Sequence, residues 1–227
     1  MAKVWFLGHS CIRIEIGGKS LILDPFIRPN SAASHIDFAS LKADYILVSH
    51  GHQDHLADLV DLAKQTQALV ISNYELINWL EKQGYKNTRS MNHGGSILLG
   101  GVNVKMVQAV HSSSLPDGSY AGNPAGFVIW SEKERIYFAG DTALTMDMLL
   151  IAQEFVINLA ILPIGDVYTM GVSDAVKCAK MVECNKVMGI HYDTFPPIKI
   201  DKIRAKKEFE DAGFQLLLPN IGEAIEL

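Results

Sequence analysis

Within seven residues of this chain, Ser49-His50-Gly51-His52-Gln53-Asp54-His55, stand three imidazoles and a carboxylate. Crowding so many titratable groups into one short segment is electrostatically costly unless a cation organises them. Imidazole and carboxylate together suit zinc, manganese, iron or nickel, and no cysteine joins the segment to make a thiolate site. Four ligands from one turn do not comfortably wrap a single small ion, so two neighbouring ions are the easier arrangement. Three further candidates each stand just past an apolar run: His111 after Val102 to Val110, Asp141 after Arg135 to Ala139 and Gly140, and His191 after Lys186 to Ile190. If those runs are aligned strands, their ends converge on one rim. Gly140 permits close backbone approach, and Thr142 is placed to hydrogen-bond and fix the Asp141 carboxylate. A loop of merely solvated histidines would require the order and strand-end placement of the later residues to be accidental.

The scaffold that must position these residues begins with short strands at Val4 to Leu7, Cys11 to Ile16 and Ser20 to Asp24, with Gly17-Gly18-Lys19 as a tight turn. A polar loop, Arg28 to Ser40, precedes another strand at Tyr45 to Ser49. Leu56, Leu59, Val60 and Ala63 recur at helical spacing, which predicts one helix from near Asp54 to near Gln67. Leu69 to Ile71 reads as a strand, and Asn73 caps a helix that Gly84 stops. Ser96 to Leu99, Val102 to Val110, Ala125 to Trp130 and Arg135 to Ala139 read as strands in hairpin pairs. Helical patterns at Thr145 to Phe155 and Ser173 to Glu183 flank the strand Leu159 to Ile164. After Lys186 to Ile190, Asp201 caps a helix ending before Gly213, and Phe214 to Leu218 with Glu223 to Leu227 finish a sheet edge. The interleaving predicts an α/β fold of two packed sheets with helices outside.

At 227 residues, with no Pro/Gly/Ser-rich linker, a single domain over residues 1 to 227 is expected. No stretch approaches the roughly 20 apolar residues of a bilayer span, and the N-terminus shows no secretory pattern, so a cytoplasmic, non-membrane protein is expected. Cys11, Cys178 and Cys184, an odd number without CxxC spacing, read as reduced thiols. A net charge of -5 without a basic stripe argues against a nucleic-acid partner and for a small-molecule substrate, and leaves a homo-oligomer open. His9 follows the first strand and could line the pocket or donate a proton to a leaving group. With Asp54 and Asp141 it makes up the candidate catalytic set. The loops Arg28 to Ser40 and Ser112 to Pro124 are expected to border the site, the second offering the hydroxyls of Ser112, Ser113 and Ser114 and carrying glycines that could let it move. Tyr192 could stabilise a developing oxyanion, and Thr194 is a further candidate substrate contact. His35 and His93 read as exposed.

Taken together, the pattern HxHxDH followed by His, Asp and His resembles the metallo-β-lactamase superfamily. Gly8-His9-Ser10, Asp24-Pro25-Phe26, Pro163-Ile164-Gly165-Asp166 and Thr169-Met170-Gly171 make it more narrowly similar to small bacterial and archaeal metal-dependent hydrolases related to ascorbate-6-phosphate lactonase. The resemblance implies an αββα sandwich of two mixed sheets with the site at one edge. It implies that His50, His52 and His111 bind a first ion, that Asp54, His55 and His191 bind a second, and that Asp141 bridges them, with Asp24 supporting a metal-binding histidine. The expected cofactor is two divalent ions, zinc first, with manganese, iron or nickel as alternatives. A hydroxide bridging ions roughly 3.5 to 4 Å apart would cleave an ester, lactone, amide or phosphodiester bond in a small molecule. Iron-dependent redox chemistry on the same fold is the second class, but di-iron relatives usually carry Glu at the position of His52, and a single iron would leave ligands unused. A non-catalytic metal-binding protein is the third, and there some ligands would be expected to have decayed; none has.

Overall fold

In the computed structural model, which describes residues 1 to 227, the apolar runs form strands and the periodic segments helices. The first part comprises β1 (Lys3–Gly8), β2 (Cys11–Ile16), β3 (Lys19–Leu23), β4 (Tyr45–Leu47), α1 (Gln53–Leu56), α2 (Leu59–Thr66), β5 (Leu69–Ser72), α3 (Tyr74–Lys82) and β6 (Thr88–Ser90). Next come β7 (Ser96–Leu99), β8 (Val102–Gln108), β9 (Ala125–Trp130), β10 (Arg135–Phe138), α4 (Met148–Glu154) and β11 (Leu159–Pro163). The chain ends with α5 (Val172–Met181), β12 (Lys186–Ile190), α6 (Lys202–Asp211), β13 (Gln215–Leu217) and β14 (Ala224–Glu226). The strands make two mixed seven-stranded sheets, ordered β14-β1-β2-β3-β4-β5-β6 and β13-β12-β11-β10-β9-β8-β7.

Alternation along the strands sorts side chains into three apolar layers. Val4, Phe6, Ile12 and Ile14 of the first sheet meet Val104, Met106, Phe127 and Phe138 of the second between the sheets. The outer face of the first sheet, with Ile22, Ile46 and Val70, packs against Leu59, Leu62, Leu76 and Leu80 of α2 and α3. The outer face of the second, with Val128, Tyr137, Ala160 and Leu162, is covered by Met148, Ala175, Cys178 and Phe209 of α4 to α6. The result is an αββα sandwich, in which strands buried on both faces read as unbroken apolar runs. Asn73 Oδ1 accepts from Leu76 N at 2.9 Å to start α3, and Asp201 Oδ1 accepts from Ile203 N and Arg204 N to start α6. No helix is long and apolar enough to cross a membrane.

Several local expectations change. The helix read from Asp54 to Gln67 is two helices, because the chain breaks at the buried Asp58. Its carboxylate accepts from the backbone N–H groups of Ile27 (2.7 Å) and Arg28 (2.9 Å) and from Arg28 Nε (2.6 Å), anchoring the start of the Arg28 to Ser40 loop. That loop is not irregular throughout, since 3₁₀ turns occupy Ser31–Ala33 and Phe38–Ser40. Thr145 to Asp147 lie ahead of α4 rather than within it. β6 lacks an apolar signature because Thr88, Arg89 and Ser90 form a short, largely exposed edge. The two C-terminal runs do not share an edge: β13 pairs in parallel with β12, whereas β14 crosses to pair antiparallel with β1.

The parallel ladders are what place the site. β3, β4 and β5 run in parallel in one sheet, and β10, β11 and β12 in the other. Asp24, Ser49, Asp141 and His191 therefore all emerge from carboxyl ends of parallel strands, where open α/β sheets expose their loops.

Candidate metal centre

The seven histidines and aspartates converge on that rim and divide into two groups sharing one carboxylate. In the first, His50 Nε2 lies 2.9 Å from His52 Nδ1, and His111 completes a trio whose ligand atoms all fall within 4.8 Å of one another. In the second, the ligand atoms of Asp54, His55, His191 and His9 likewise lie within 4.8 Å of one another. Asp141 Oδ2 stands between the groups, 3.0 Å from His191 Nε2, 3.2 Å from His55 Nε2 and 3.7 Å from His111 Nε2. The HxHxDH segment splits because α1 starts inside it: His52 precedes the first helical residue, while Asp54 and His55 lie on the helix and meet His191.

Outer hydrogen bonds orient the rings. Asp24 Oδ2 lies 2.8 Å from His55 Nδ1 and accepts from Ser49 Oγ at 2.6 Å, while Asp24 Oδ1 accepts from Ser49 N at 2.7 Å. Ser49 Oγ, with its proton committed to Asp24, accepts from His50 Nδ1 at 2.9 Å. Both rings are thereby fixed with Nδ1 as donor and Nε2 turned inward, an arrangement suited to metal binding through Nε2. The buried His55 Nε2 and Asp141 Oδ1 have no hydrogen-bond partner in the protein. Unpartnered polar atoms in so dry a place fit divalent cations as their missing partners.

Electrostatics differ between the groups. Burial, above all, holds His50 well below the usual imidazole range, and it also lowers His52 and His111. Burial alone would lower His55 and His191 too, but Asp141, with Asp24 at His55, outweighs it, so His55 is raised well above its ordinary value and His191 to about 9. Burial would raise the Asp54 and Asp141 carboxyls, yet the neighbouring histidines hold both well below the carboxylate range. Without metal, the histidines of the first group are therefore neutral imidazoles, whereas His55 and His191 of the second carry an extra proton that a cation must displace. Below about pH 9 protons compete for His191, so the apparent affinity of the second group should rise with pH between about pH 6 and about pH 8, with protons released on binding. Zinc calorimetry in buffers of different ionisation enthalpy measures that release; pH-independent affinity without release would contradict the assignment.

The remaining sequence candidates are placed unequally. His9 is buried, between Asp54 and Thr194, and burial pushes it down to about 4. Ser112 is exposed with Oγ 3.4 Å from His52 Nε2, whereas the Ser113 hydroxyl accepts from Gly51 N at 3.1 Å. Tyr192 is buried and stacked on Phe6, and burial raises its hydroxyl to about 12. Thr142 does not fix Asp141 directly: its hydroxyl accepts from Val110 N and donates to Ala143 O. His93 and His35 meet the carbonyls of Pro124 and Ile221, outside either ligand group. Asn73 Nδ2 donates to Ala121 O and Asn123 O, tying the Ser112 to Pro124 loop to the start of α3. From the other loop, Asn30 and His35 line a cavity of 390 Å³ with His9, Tyr192, Thr194 and Lys202.

Three supports escaped sequence reasoning. Ser49 reads as the last residue of a strand, yet it relays Asp24 to His50. A Cβ at Gly51 would lie 2.4 Å from Ala121 Cβ, so only glycine lets the turn press against the Ser112 to Pro124 loop. A Cβ at Gly165 would lie 2.0 Å from the His191 carbonyl oxygen, which explains the glycine of Pro163-Ile164-Gly165-Asp166; glycine between two histidines and glycine after an apolar strand were the available signals.

The Beta-lactamase superfamily domain model matches residues 22–192, which spans β3 to just past β12 and all seven candidate ligands. A UPF0173 metal-dependent hydrolase of Flavobacterium johnsoniae is 50% identical over 99% of this chain and 100% of its own. A metallo hydrolase from the hyperthermophilic archaeon Ignicoccus hospitalis superimposes with a TM-score of 0.89 at 30% identity, covering 99% of this chain and 97% of that one. An isothiocyanate hydrolase from Delia radicum gut bacteria shares the fold, with a TM-score of 0.80 at 19% identity over 99% of this chain and 98% of that one. The chain belongs to the beta-lactamase superfamily and, within it, to the UPF0173 metal-dependent hydrolases.

Proposed function

We propose that this chain hydrolyses an ester, lactone, amide or phosphodiester bond in a small molecule, using two divalent cations, zinc first among them. The observation that carries this reading is the division of seven ligands into two groups around the shared carboxylate of Asp141. Cations held there supply an activated water and polarise the oxygen of the scissile bond. His50, His52 and His111 hold one, and Asp54, His55 and His191 the other. Asp24 and Ser49 keep His55 and His50 in the metal-binding tautomer. The Asp54 side chain, at 27% exposure, and half-buried His52 and His111 face the open side, so substrate enters there, past the Ser112 hydroxyl. Lactones are the first class to try, on the resemblance of the Gly8-His9-Ser10 and Asp24-Pro25-Phe26 motifs to relatives of ascorbate-6-phosphate lactonase. The three buried, unpaired cysteines suit a reducing compartment, and we place the reaction in the cytoplasm.

The test is to strip the protein, reload it with zinc, manganese, iron(II) or nickel, and assay lactones, esters, amides and phosphodiesters. Two equivalents of metal and turnover of at least one class are expected. Retention of at most one ion, or a two-metal protein inert to every class, would overturn the proposal.

A further inference from the structure

We infer that His9 is a protein ligand of the second cation, completing a set with Asp54, His55 and His191. The inference rests on the two-cation reading above and goes beyond it, since the HxHxDH, His, Asp, His pattern does not include this residue. His9 leaves β1 in a left-handed conformation (φ 55°), which is costly for a side chain with a Cβ and persists only where surroundings impose it. What imposes it is the other sheet. His191 N donates to His9 O at 2.9 Å, and His191 is itself left-handed (φ 54°). The two rings pack with centroids 4.2 Å apart, so the turn after β1 is clamped to the turn after β12 at the rim.

The ring is wired like the ligands beside it. His9 Nδ1 lies 2.9 Å from Thr194 Oγ1, whose hydroxyl also reaches Tyr192 O at 3.4 Å, so Thr194 can accept the His9 Nδ1 proton when Nε2 binds a cation. This is the arrangement seen at His55 with Asp24 and at His50 with Ser49. It then leaves a lone pair on His9 Nε2, which lies 3.0 Å from Asp54 Oδ2. Without a cation, His9 carries its proton on Nε2 and donates it to that carboxylate oxygen; a cation takes the place of this proton between the two atoms, and the ligand atoms of His55 and His191 share the same space within 4.8 Å. A proton donor to a leaving group would instead need a nitrogen free to reach outward. His9 is 1% exposed and both its nitrogens are engaged.

The test is zinc uptake by metal-free protein in competition with a chromophoric chelator. Wild-type protein should bind two equivalents. His9→Ala should bind one with wild-type affinity and the other more weakly by on the order of 100-fold, and Thr194→Val should weaken that same ion by about 10-fold. His111→Ala should instead weaken the other ion. Added imidazole should restore the second equivalent to His9→Ala. In isotope-labelled wild-type protein loaded with cadmium, one-bond coupling between the metal and His9 Nε2 is expected, a measurement that stands even if the variant fails to fold. Two wild-type-affinity equivalents in His9→Ala, or coupling to His55 and His191 without coupling to His9, would overturn the inference while leaving the two-cation reading intact. A wild-type protein that binds fewer than two ions would defeat the reading beneath it.

Discussion

Replacing Asp141 with alanine should abolish hydrolysis and weaken both cations while the fold persists. Asp141 Oδ2 lies 3.0 to 3.7 Å from Nε2 of His55, His191 and His111, so one carboxylate touches both ligand groups. Removing it takes a negative charge from beside two cations at once, and the loss in affinity should be at least the roughly 10–100-fold that loss of an outer partner costs. Asp141→Asn keeps the volume but not the charge and should behave alike, which separates electrostatics from packing. Between the sheets, packing involves Phe138, Ile161 and Ile190 rather than the rim, so circular dichroism and gel filtration should match the wild type. Loss at His9 should be milder, because it touches one group only. An Asp141→Ala protein that retains two ions and turns over substrate would contradict the shared-carboxylate assignment.

How much of this was legible depends on whether the chemistry was local in the chain. His50, His52, Asp54 and His55 announce a metal site because their density has no cheaper explanation, and His111, Asp141 and His191 could be added because each follows an apolar run. Which residue joins which ion was not derivable from spacing. It depends on α1 beginning at Gln53, inside the HxHxDH segment, while Asp58, whose buried carboxylate holds the backbone of Ile27 and Arg28, ends α1 and divides an otherwise continuous helical pattern. Ser49 and Thr194 were illegible as ring-orienting groups for a related reason: a hydroxyl at a strand end has many uses, and its partner is fixed only by tertiary placement. Thr142 shows the converse, since adjacency to Asp141 suggested a contact that the backbone directs to Val110 and Ala143 instead. The two C-terminal runs look equivalent in sequence, yet β13 and β14 join different sheets, because Leu216 packs under α6 while Ile225 continues the ladder of β1.

Replacing Asp24 with asparagine should disable the second group almost as thoroughly as removing a ligand, although residue 24 contacts no cation. The Asp24 carboxylate is fully buried and receives three donors: Ser49 N, Ser49 Oγ and His55 Nδ1. An asparagine of the same shape offers one carbonyl oxygen and one amide. If the oxygen stays with Ser49 N, the amide faces two donors, and the cheapest relief is for His55 to shift its proton from Nδ1 to Nε2. That tautomer turns an N–H toward the cation and removes the lone pair that would bind it. The second ion should weaken by about 10–100-fold, and turnover at limiting metal should fall with it. The first ion should respond less, because the change reaches His50 only through the Ser49 hydroxyl. Misplaced donors in this dry pocket should also cost the metal-free protein about 1–3 kcal/mol. Chelator competition and thermal unfolding of the stripped variant measure the two effects separately. Unchanged affinity at both groups would mean that the Asp24 to His55 hydrogen bond does not set the tautomer, and that the second group owes its geometry to packing alone.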